Sequence, residues 1–330
     1  MIQFFRQNNF FTTLMLIPYT FIVRMACFYL YQAPEKMKTA GVLYSLFLES
    51  FEDRVLLSLI VINFIIALTA ILVNRIVIKH RLSRYQTLLP GLFYIIIVSW
   101  LEVFLNFSAI HIANFFVMIG LLSVFKFDSK STRSIVILDS GFYFALSALF
   151  YTPYVIYILP AFLGFISLYS FKIREFTNLI VGFVLPYFIV IGFLYYLGAD
   201  FNIFDGYELN RSIFTWFSDL SLIDIIPLFV YGAIILTAIF FYARMRSKKT
   251  LQVQKKINIL YWFLLTSFFT IFFIDERNTT NLLILAMPLS IIVGIVIEWI
   301  KAPYVEEFVH VVILGGVLYL HFNNAVNILM

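Results

Sequence analysis

The sequence has few charged residues and almost no cysteine. Asp, Glu, Lys and Arg make up 12% of its 330 residues, about half the share found in soluble globular domains. Cys27 is the single cysteine, which excludes an intrachain disulfide framework and a cysteine-based metal site. The sequence also lacks the glycine-rich motifs of nucleotide-binding proteins and the HExxH and GxSxG motifs of hydrolases. None of these chemistries is therefore indicated.

Apolar and aromatic residues take the place of the missing charges. Hydrophobic residues make up 62% of the sequence, with 40 phenylalanines and 20 tyrosines, and the mean hydropathy is +0.97. A water-soluble fold of this length could not bury so much apolar surface. The apolar runs predict an all-α fold, a polytopic transmembrane helical bundle of about 11 spans (10–12) in a single integral membrane domain, 1–330. The predicted spans are roughly 11–32, 55–74, 86–106, 110–126, 134–151, 154–171, 177–198, 222–243, 257–274, 279–300 and 309–328.

The basic residues are segregated when the chain is threaded through a bilayer in this way. With the N-terminus in the cytoplasm, 17 of the 23 Lys and Arg residues fall on the cytoplasmic side and five on the outer side. This bias predicts a multi-pass protein of the cytoplasmic (inner) membrane. It has outer loops at 33–54 and 199–221 and a basic cytoplasmic loop at 244–256. An apolar stretch at 42–48 is compatible with a helix on the membrane surface.

The predicted partners follow from the same charge pattern. The net charge of +5 is explained by topology and by attraction to anionic headgroups. Membrane lipids, and not nucleic acid, are therefore the expected partners. Protein partners and oligomeric state are left open, and no cofactor is predicted.

Two of the ionisable residues inside predicted spans are the leading candidates. Arg24 lies past the middle of the first span, and Glu102 lies in the outer part of the third. A charged side chain within the hydrocarbon is costly and often functional. The two lie at similar predicted depth, so they could pair or line a site. The alternative is that Arg24 extends to the outer headgroups and that Glu102 is a neutral or locally paired carboxyl group.

Two polar turns on the predicted outer side supply the other candidates. The first contains Glu49, Glu52 and Asp53, and a carboxylate there could act as a general base. The same acids are also what a helix start favours. The second runs from 275 to 281, where Arg277 and Asn278 could receive a phosphate at a helix N-terminus, although an ordinary solvated turn is equally compatible.

Weaker candidates are polar residues within other spans or at their ends. They are Asn63, His111, Asn114 and the turn 151–154, each of which is more readily explained as a structural or surface residue. His310 and His321 lie in the last span without a third ligand nearby, so no metal site is predicted there, and dependence on a divalent metal stays open. The main candidates share one property, a position at the predicted outer leaflet, which is compatible with a single cavity.

The segments MIQFFRQNNFF at 1–11, LPGLFY at 89–94 and SALFYTP at 147–153 resemble an uncharacterised polytopic inner-membrane family of Bacteroidota. More distantly, the layout resembles the C-type membrane glycosyltransferases, which use polyprenyl-phosphate sugars. The resemblance rests on the acidic first outer loop and on the late polar turn followed by the Pro-containing span LLILAMPL at 282–289. Two features differ: Glu52 and Asp53 are adjacent rather than spaced, and no large soluble C-terminal domain follows.

This resemblance implies a glycosyltransferase that moves a hexosyl or mannosyl group from a polyprenyl-phosphate donor at the outer leaflet. Glu52 or Asp53 would be the base and Glu102 would orient the donor or Arg24. Arg24, Arg277 and Asn278 would bind the lipid phosphate. Two alternatives remain: a transporter or flippase for a lipid or small amphiphile, and a non-catalytic membrane subunit of an envelope assembly.

Overall fold

The computed structural model describes most of the chain, in eight ranges. These are 2–29, 38–49, 54–126, 133–168, 173–198, 222–274, 279–300 and 302–329. Within them, the side chains of 47–49, 222–228, 303 and 322–329 are left undescribed.

The described residues form helices joined by short connections. The α-helices are α1 (Ile2–Phe5), α2 (Phe10–Leu14), α3 (Leu16–Val23), α4 (Val42–Glu49), α5 (Val55–Lys79), α6 (Leu89–Ile97), α7 (Ala109–Phe125), α8 (Arg133–Phe150), α9 (Ile158–Leu168), α10 (Ile173–Leu197), α11 (Leu222–Arg246), α12 (Leu251–Phe273), α13 (Ala286–Ile297) and α14 (Pro303–Leu329). Short 3-10 helices cover Met25–Phe28, Glu102–Leu105, Thr152–Tyr157 and Thr279–Leu285.

Seven of these helical stretches are long and apolar enough to cross a membrane. They are Val55–Lys79, Arg133–Phe150, Ile173–Leu197, Phe229–Arg246, Leu251–Phe273, Thr279–Ile297 and Tyr304–His321. Three shorter apolar stretches are Phe10–Val23, Ala109–Phe125 and Thr152–Leu168. The predicted class, a helical multi-pass membrane protein, is confirmed. The count of about eleven spans and the cytoplasmic N-terminus stay predictions.

The predicted third span, 86–106, is not one helix. Its helical part is α6, which has nine residues and ends at Ile97, well short of the roughly 20 residues that cross a bilayer. The chain then turns irregularly until α7 begins at Ala109. Apolar composition alone could not reveal this break, because the residues on both sides of it are equally hydrophobic.

The centre of the bundle contains α6 and α13, which pack against each other. Every residue of α6 is buried. A Cβ atom on Gly294 would lie 2.4 Å from the Cα of Pro90, so the glycine is required for the close approach of the two helices. The short, central α6 is therefore surrounded by protein rather than by lipid.

The periphery has the opposite character. Along α10, Phe188 is 76% exposed and Val184 is 53% exposed, although both are apolar. In an aqueous protein such a surface would be unstable, whereas in a bilayer it contacts acyl chains. The exposed apolar faces of the outer helices thus support a membrane environment.

The connections after α5, α11 and α13 meet the N-terminal segment at one end of the bundle, here called the basic end. Arg6 donates to the carbonyl oxygen of Ile300 at 3.2 Å and forms an ion pair with Glu306. Lys249 Nζ donates to the carbonyl oxygen of Ser83 at 2.7 Å. The opposite end is formed by the C-terminal ends of α3, α6, α8 and α12 and holds all four 3-10 helices named above.

Candidate functional site

The opposite end contains a buried arginine with four hydrogen bonds to protein oxygens. Arg24 directly follows α3, and none of its surface is exposed. Its Nε donates to Asn63 Oδ1 at 2.6 Å, and its Nη1 donates to the carbonyl oxygen of Val98 at 2.8 Å. Its Nη2 donates to the carbonyl oxygens of Phe104 at 3.0 Å and Leu105 at 2.9 Å. Protein oxygens thus replace the hydration that the guanidinium loses on burial.

Three of these acceptors belong to the irregular chain between α6 and α7. Backbone carbonyls that have left a helix at membrane depth need another donor, because an unsatisfied one costs several kcal/mol. Arg24 supplies donors to three of them, and His111 Nε2 donates to the carbonyl oxygen of Phe104 at 3.0 Å. We infer that these two side chains stabilise the break in the predicted third span. Arg24, Asn63, His111 and the connected carbonyls are called the Arg24 cluster below.

Glu102 lies next to this cluster as the first residue of the 3-10 helix Glu102–Leu105 and is half-buried. Two residues further on, Phe104 accepts a hydrogen bond from Arg24. Arg24 thus contacts the segment that begins at Glu102 through the carbonyl oxygen of Phe104. However, the hydrogen bonds of Arg24 go to an amide and to carbonyl oxygens rather than to the Glu102 carboxylate.

Three buried tyrosines, Tyr151, Tyr154 and Tyr157, form a second group at this end and are called the tyrosine cluster. The hydroxyl of Tyr154 donates to Asn114 Oδ1 at 2.7 Å, and Asn114 Nδ2 donates to the carbonyl oxygen of Leu283 at 3.1 Å. The rings of Tyr154 and Tyr157 lie 4.5 Å apart between centroids. The cluster thereby connects α7 to the 3-10 helix that precedes α13.

The first predicted outer loop also contacts the tyrosine cluster. Ala40 pairs with Tyr151 in an isolated antiparallel bridge, and Thr152 Oγ1 donates to the carbonyl oxygen of Thr39 at 2.9 Å. The hydroxyl of Tyr151 donates to Asn281 Oδ1 at 2.9 Å. One turn therefore contacts both the chain that leads into α4 and the chain that leads into α13.

Four of the six predicted site residues lie outside the described residues: Glu52, Asp53, Arg277 and Asn278. In the sequence, each pair lies between two described helices. The first two separate α4, which ends at Glu49, from α5. The other two directly precede the 3-10 helix Thr279–Leu285, which contains Asn281.

Three residues that were weaker candidates in the sequence make more contacts in the structure than expected. Asn63, His111 and Asn114 are all buried and all hydrogen-bonded. The signal was present, since a polar side chain inside an apolar span must find a partner. Tyr157 and Ser267, whose hydroxyl groups lie 2.6 Å apart, were missed because nothing in the sequence distinguishes them from other polar residues in spans.

No group of three or more His, Cys, Asp or Glu side chains that could hold a metal ion occurs within the eight described ranges.

A cavity of about 520 Å³ lies at the other, basic end of the bundle. Its lining was not predicted, because the basic residues of these connections were interpreted through topology and general attraction to anionic headgroups and not as a binding site.

Comparison with known proteins identifies the family. Residues 36–329 match a family of unknown function, DUF6427, and this covers most of the chain. The protein therefore belongs to that family. No curated protein and no solved structure matches the chain.

Proposed function

We propose that this protein transfers a sugar from a polyprenyl-phosphate donor to an acceptor hydroxyl at the outer leaflet of the inner membrane. In this reaction the acceptor oxygen forms a bond to the anomeric carbon as the bond from that carbon to the phosphate oxygen breaks. The acceptor proton passes to a carboxylate, and the lipid phosphate leaves with the bonding electrons. The protein must therefore supply one base and a cationic environment for the leaving phosphate.

The proposed roles fall mainly on the two predicted polar turns. Glu52 or Asp53 accepts the proton, and Arg277 and Asn278 bind the phosphate. Glu102 orients the donor. Positive charge beside the leaving phosphate stabilises the transition state most effectively in a site with little water.

Arg24 has a supporting role in this proposal. Its side chain is fully buried and donates four hydrogen bonds to protein oxygens. We therefore assign it to holding the irregular segment that carries Glu102, rather than to direct contact with phosphate. A guanidinium suits this task because its planar set of donors can bind several carbonyl oxygens at once.

The observation that supports convergence of the two outer turns is the pair of contacts made by Tyr151. It forms the bridge with Ala40 on the chain that leads into α4, and it donates a hydrogen bond to Asn281. Asn281 follows Asn278 by three residues, and α4 ends three residues before Glu52. Tyr151 thus contacts the chain before α4 through its backbone and the chain just after Asn278 through its side chain.

The test is a transfer assay in proteoliposomes with polyprenyl-phosphate mannose and polyprenyl-phosphate glucose as donors. Glu52→Gln and Asp53→Asn are each compared with wild type, and loss of the general base should lower the turnover number roughly 100-fold to 10,000-fold in one of them. Arg277→Met should weaken donor binding as well as turnover. Glu35→Gln, an acid of the same outer loop outside the proposed site, is the matched control.

Two results would contradict the proposal. One is a folded wild-type protein that transfers neither sugar to any acceptor lipid or peptide supplied. The other is measurable transfer that Glu52→Gln, Asp53→Asn and Arg277→Met leave unchanged.

A further inference from the structure

The cavity at the basic end has walls from three separate parts of the chain. The connection after α5 contributes Arg84, the end of α11 and its connection contribute Arg244, Lys248 and Lys249, and the end of α13 contributes Glu298. Its volume of about 520 Å³ lies within the range of small-molecule binding sites.

Four of these five residues are cationic, and most of their charge faces water. Arg84, Arg244 and Lys248 are exposed, and Lys249 is half-buried. The guanidinium carbon of Arg244 lies 4.7 Å from the ring centroid of Trp299, which keeps this side chain at the cavity wall. Such a concentration of like charge is unfavourable unless an anion is nearby. Phosphate is the anion that arginine and lysine side chains bind most readily in proteins.

The fifth residue, Glu298, adds a specific feature. Its side chain is 3% exposed, and its Oε1 accepts a hydrogen bond from the backbone N–H of Tyr85 at 2.8 Å. Its Oε2 is buried and has no hydrogen-bond partner among the described residues. A carboxylate oxygen in this state accepts a hydrogen bond from any donor that enters the cavity.

We propose that this cavity binds a phosphate ester that carries a free hydroxyl group, such as the glycerol phosphate headgroup of a lipid. The phosphate lies among Arg84, Arg244 and Lys248, and the hydroxyl donates to Glu298 Oε2. A hydroxyl fits better than an ammonium group as the donor, because an ammonium would be repelled by the four surrounding cations. The site is independent of the proposed sugar transfer, which lies at the other end of the bundle.

Basic cavities between membrane helices are known to accept lipid headgroups, so a phospholipid is one source of this chemistry. A soluble phosphate ester is the other. The contacts made by the headgroup are the same in both cases, so the experiment must separate the two.

The experiment measures lipid binding to the full-length protein in neutral detergent by native mass spectrometry. The probes are phosphatidylglycerol and phosphatidylethanol, two phosphodiesters of equal charge of which only the first has hydroxyl groups. Wild type should bind phosphatidylglycerol roughly tenfold more tightly than phosphatidylethanol, because one hydrogen bond to a charged acceptor contributes about this much to affinity. In Glu298→Met this preference should fall below about twofold.

The charge contacts are tested with the double variant Arg244→Gln/Lys248→Gln. Its affinity for both lipids should fall about thirtyfold, the combined size of two contacts between basic residues and anionic lipid. The matched control is Arg75→Gln/Lys126→Gln, which removes two exposed positive charges that do not line the cavity and should change affinity less than about threefold.

Competition with soluble glycerol 3-phosphate then shows whether the ligand is a lipid or a soluble phosphate ester. If it displaces phosphatidylglycerol, the site recognises a free phosphate ester. If it does not, the acyl chains contribute and the ligand is a lipid. The proposal is overturned if the Arg244→Gln/Lys248→Gln and control variants bind phosphatidylglycerol equally. It is also overturned if wild type binds phosphatidylethanol or phosphatidylethanolamine as tightly as phosphatidylglycerol.

Discussion

The two ends of this bundle use positive charge in opposite ways. At one end Arg24 is completely buried and donates to four protein oxygens. At the other, Arg84, Arg244 and Lys248 are exposed at the wall of a cavity. A buried cation whose hydrogen bonds go to protein oxygens acts on the fold, whereas an exposed cation at the wall of a cavity can act on a ligand.

The hydrogen-bond acceptors at the two ends of the bundle also differ. The carbonyl oxygens around Arg24 belong to a chain segment that has left its helix and needs donors, so the cation and the broken segment stabilise each other. At the basic end Glu298 leaves one buried oxygen without a partner among the described residues. This comparison predicts that substitutions at the first end change stability and that substitutions at the second change binding.

The largest effect is expected from Arg24→Met. The substitution keeps most of the apolar volume but leaves Asn63 Oδ1 and the carbonyl oxygens of Val98 and Leu105 without their donor, while Phe104 keeps only the donor from His111. We expect the free energy of unfolding in mixed micelles to fall by about 3–5 kcal/mol. Arg24→Lys should recover only part of this loss, because an ammonium group cannot reach acceptors spread across a planar fork.

Arg54→Met is the matched control for this prediction, since Arg54 is exposed just before α5 and its loss should change stability by less than about 0.5 kcal/mol. If Arg24→Met were as stable as wild type but unable to transfer sugar, Arg24 would be a substrate ligand, and the contrast between the two ends would fail.

An intermediate effect is expected from Tyr154→Phe in the tyrosine cluster. Removing the hydroxyl leaves Asn114 Oδ1 buried without this donor and should cost about 1–3 kcal/mol. Tyr304→Phe is the control, because Tyr304 is 88% exposed and its hydroxyl can reach the interfacial water. Equal melting temperatures for the two variants would show that the cluster is not held by its hydrogen bonds.

A smaller effect is expected from pH at the basic end. Burial raises the pKa of Glu298, although the N–H of Tyr85 and the positive charges of Lys249 and Arg6 act in the opposite direction. Glu298 therefore takes up a proton at a higher pH than an ordinary glutamate, and the cavity becomes more positive as the pH falls. The backbone N–H of Arg84 also favours the charged carboxylate, without reversing the effect of burial.

Affinity for phosphatidylethanol should accordingly rise about threefold between pH 7 and pH 5, the size of one unit charge at about 7 Å in a water-like medium. Over the same interval the preference for phosphatidylglycerol should shrink, because a neutral carboxyl group is a weaker acceptor than a carboxylate. In Glu298→Met neither change should occur. A pH response that persists in this variant would assign the titration to another group.

The sequence predicted the class of fold because apolar runs of about 20 residues have few alternatives to membrane helices. It failed at 86–106, where α6 ends at Ile97. The break depends on donors from Arg24 and His111, which are distant in sequence, and hydrophobicity does not record such long-range contacts. Only the unusual cost of a buried arginine indicated that something at this depth required it.

The candidate site was predictable in part for a similar reason. Arg24 and Glu102 were predicted to lie at similar depth, and Arg24 contacts the segment that begins at Glu102. The partners of Arg24 could not be predicted, because backbone carbonyls carry no sequence signature. The cavity at the basic end was overlooked because one pattern, the excess of Lys and Arg, serves both membrane topology and anion binding.

The smallest effect on stability is expected from the double variant Arg244→Gln/Lys248→Gln. Lys248 is exposed and Arg244 contributes a cation–π contact with Trp299, so the free energy of unfolding without added lipid should change by less than about 1 kcal/mol. The same variant is expected to lose most of its affinity for phosphatidylglycerol. Measuring both properties on one sample therefore separates binding from folding. A loss of stability comparable to that of Arg24→Met would mean that these cations, too, are structural, and that the two ends do not differ in the way their exposure indicates.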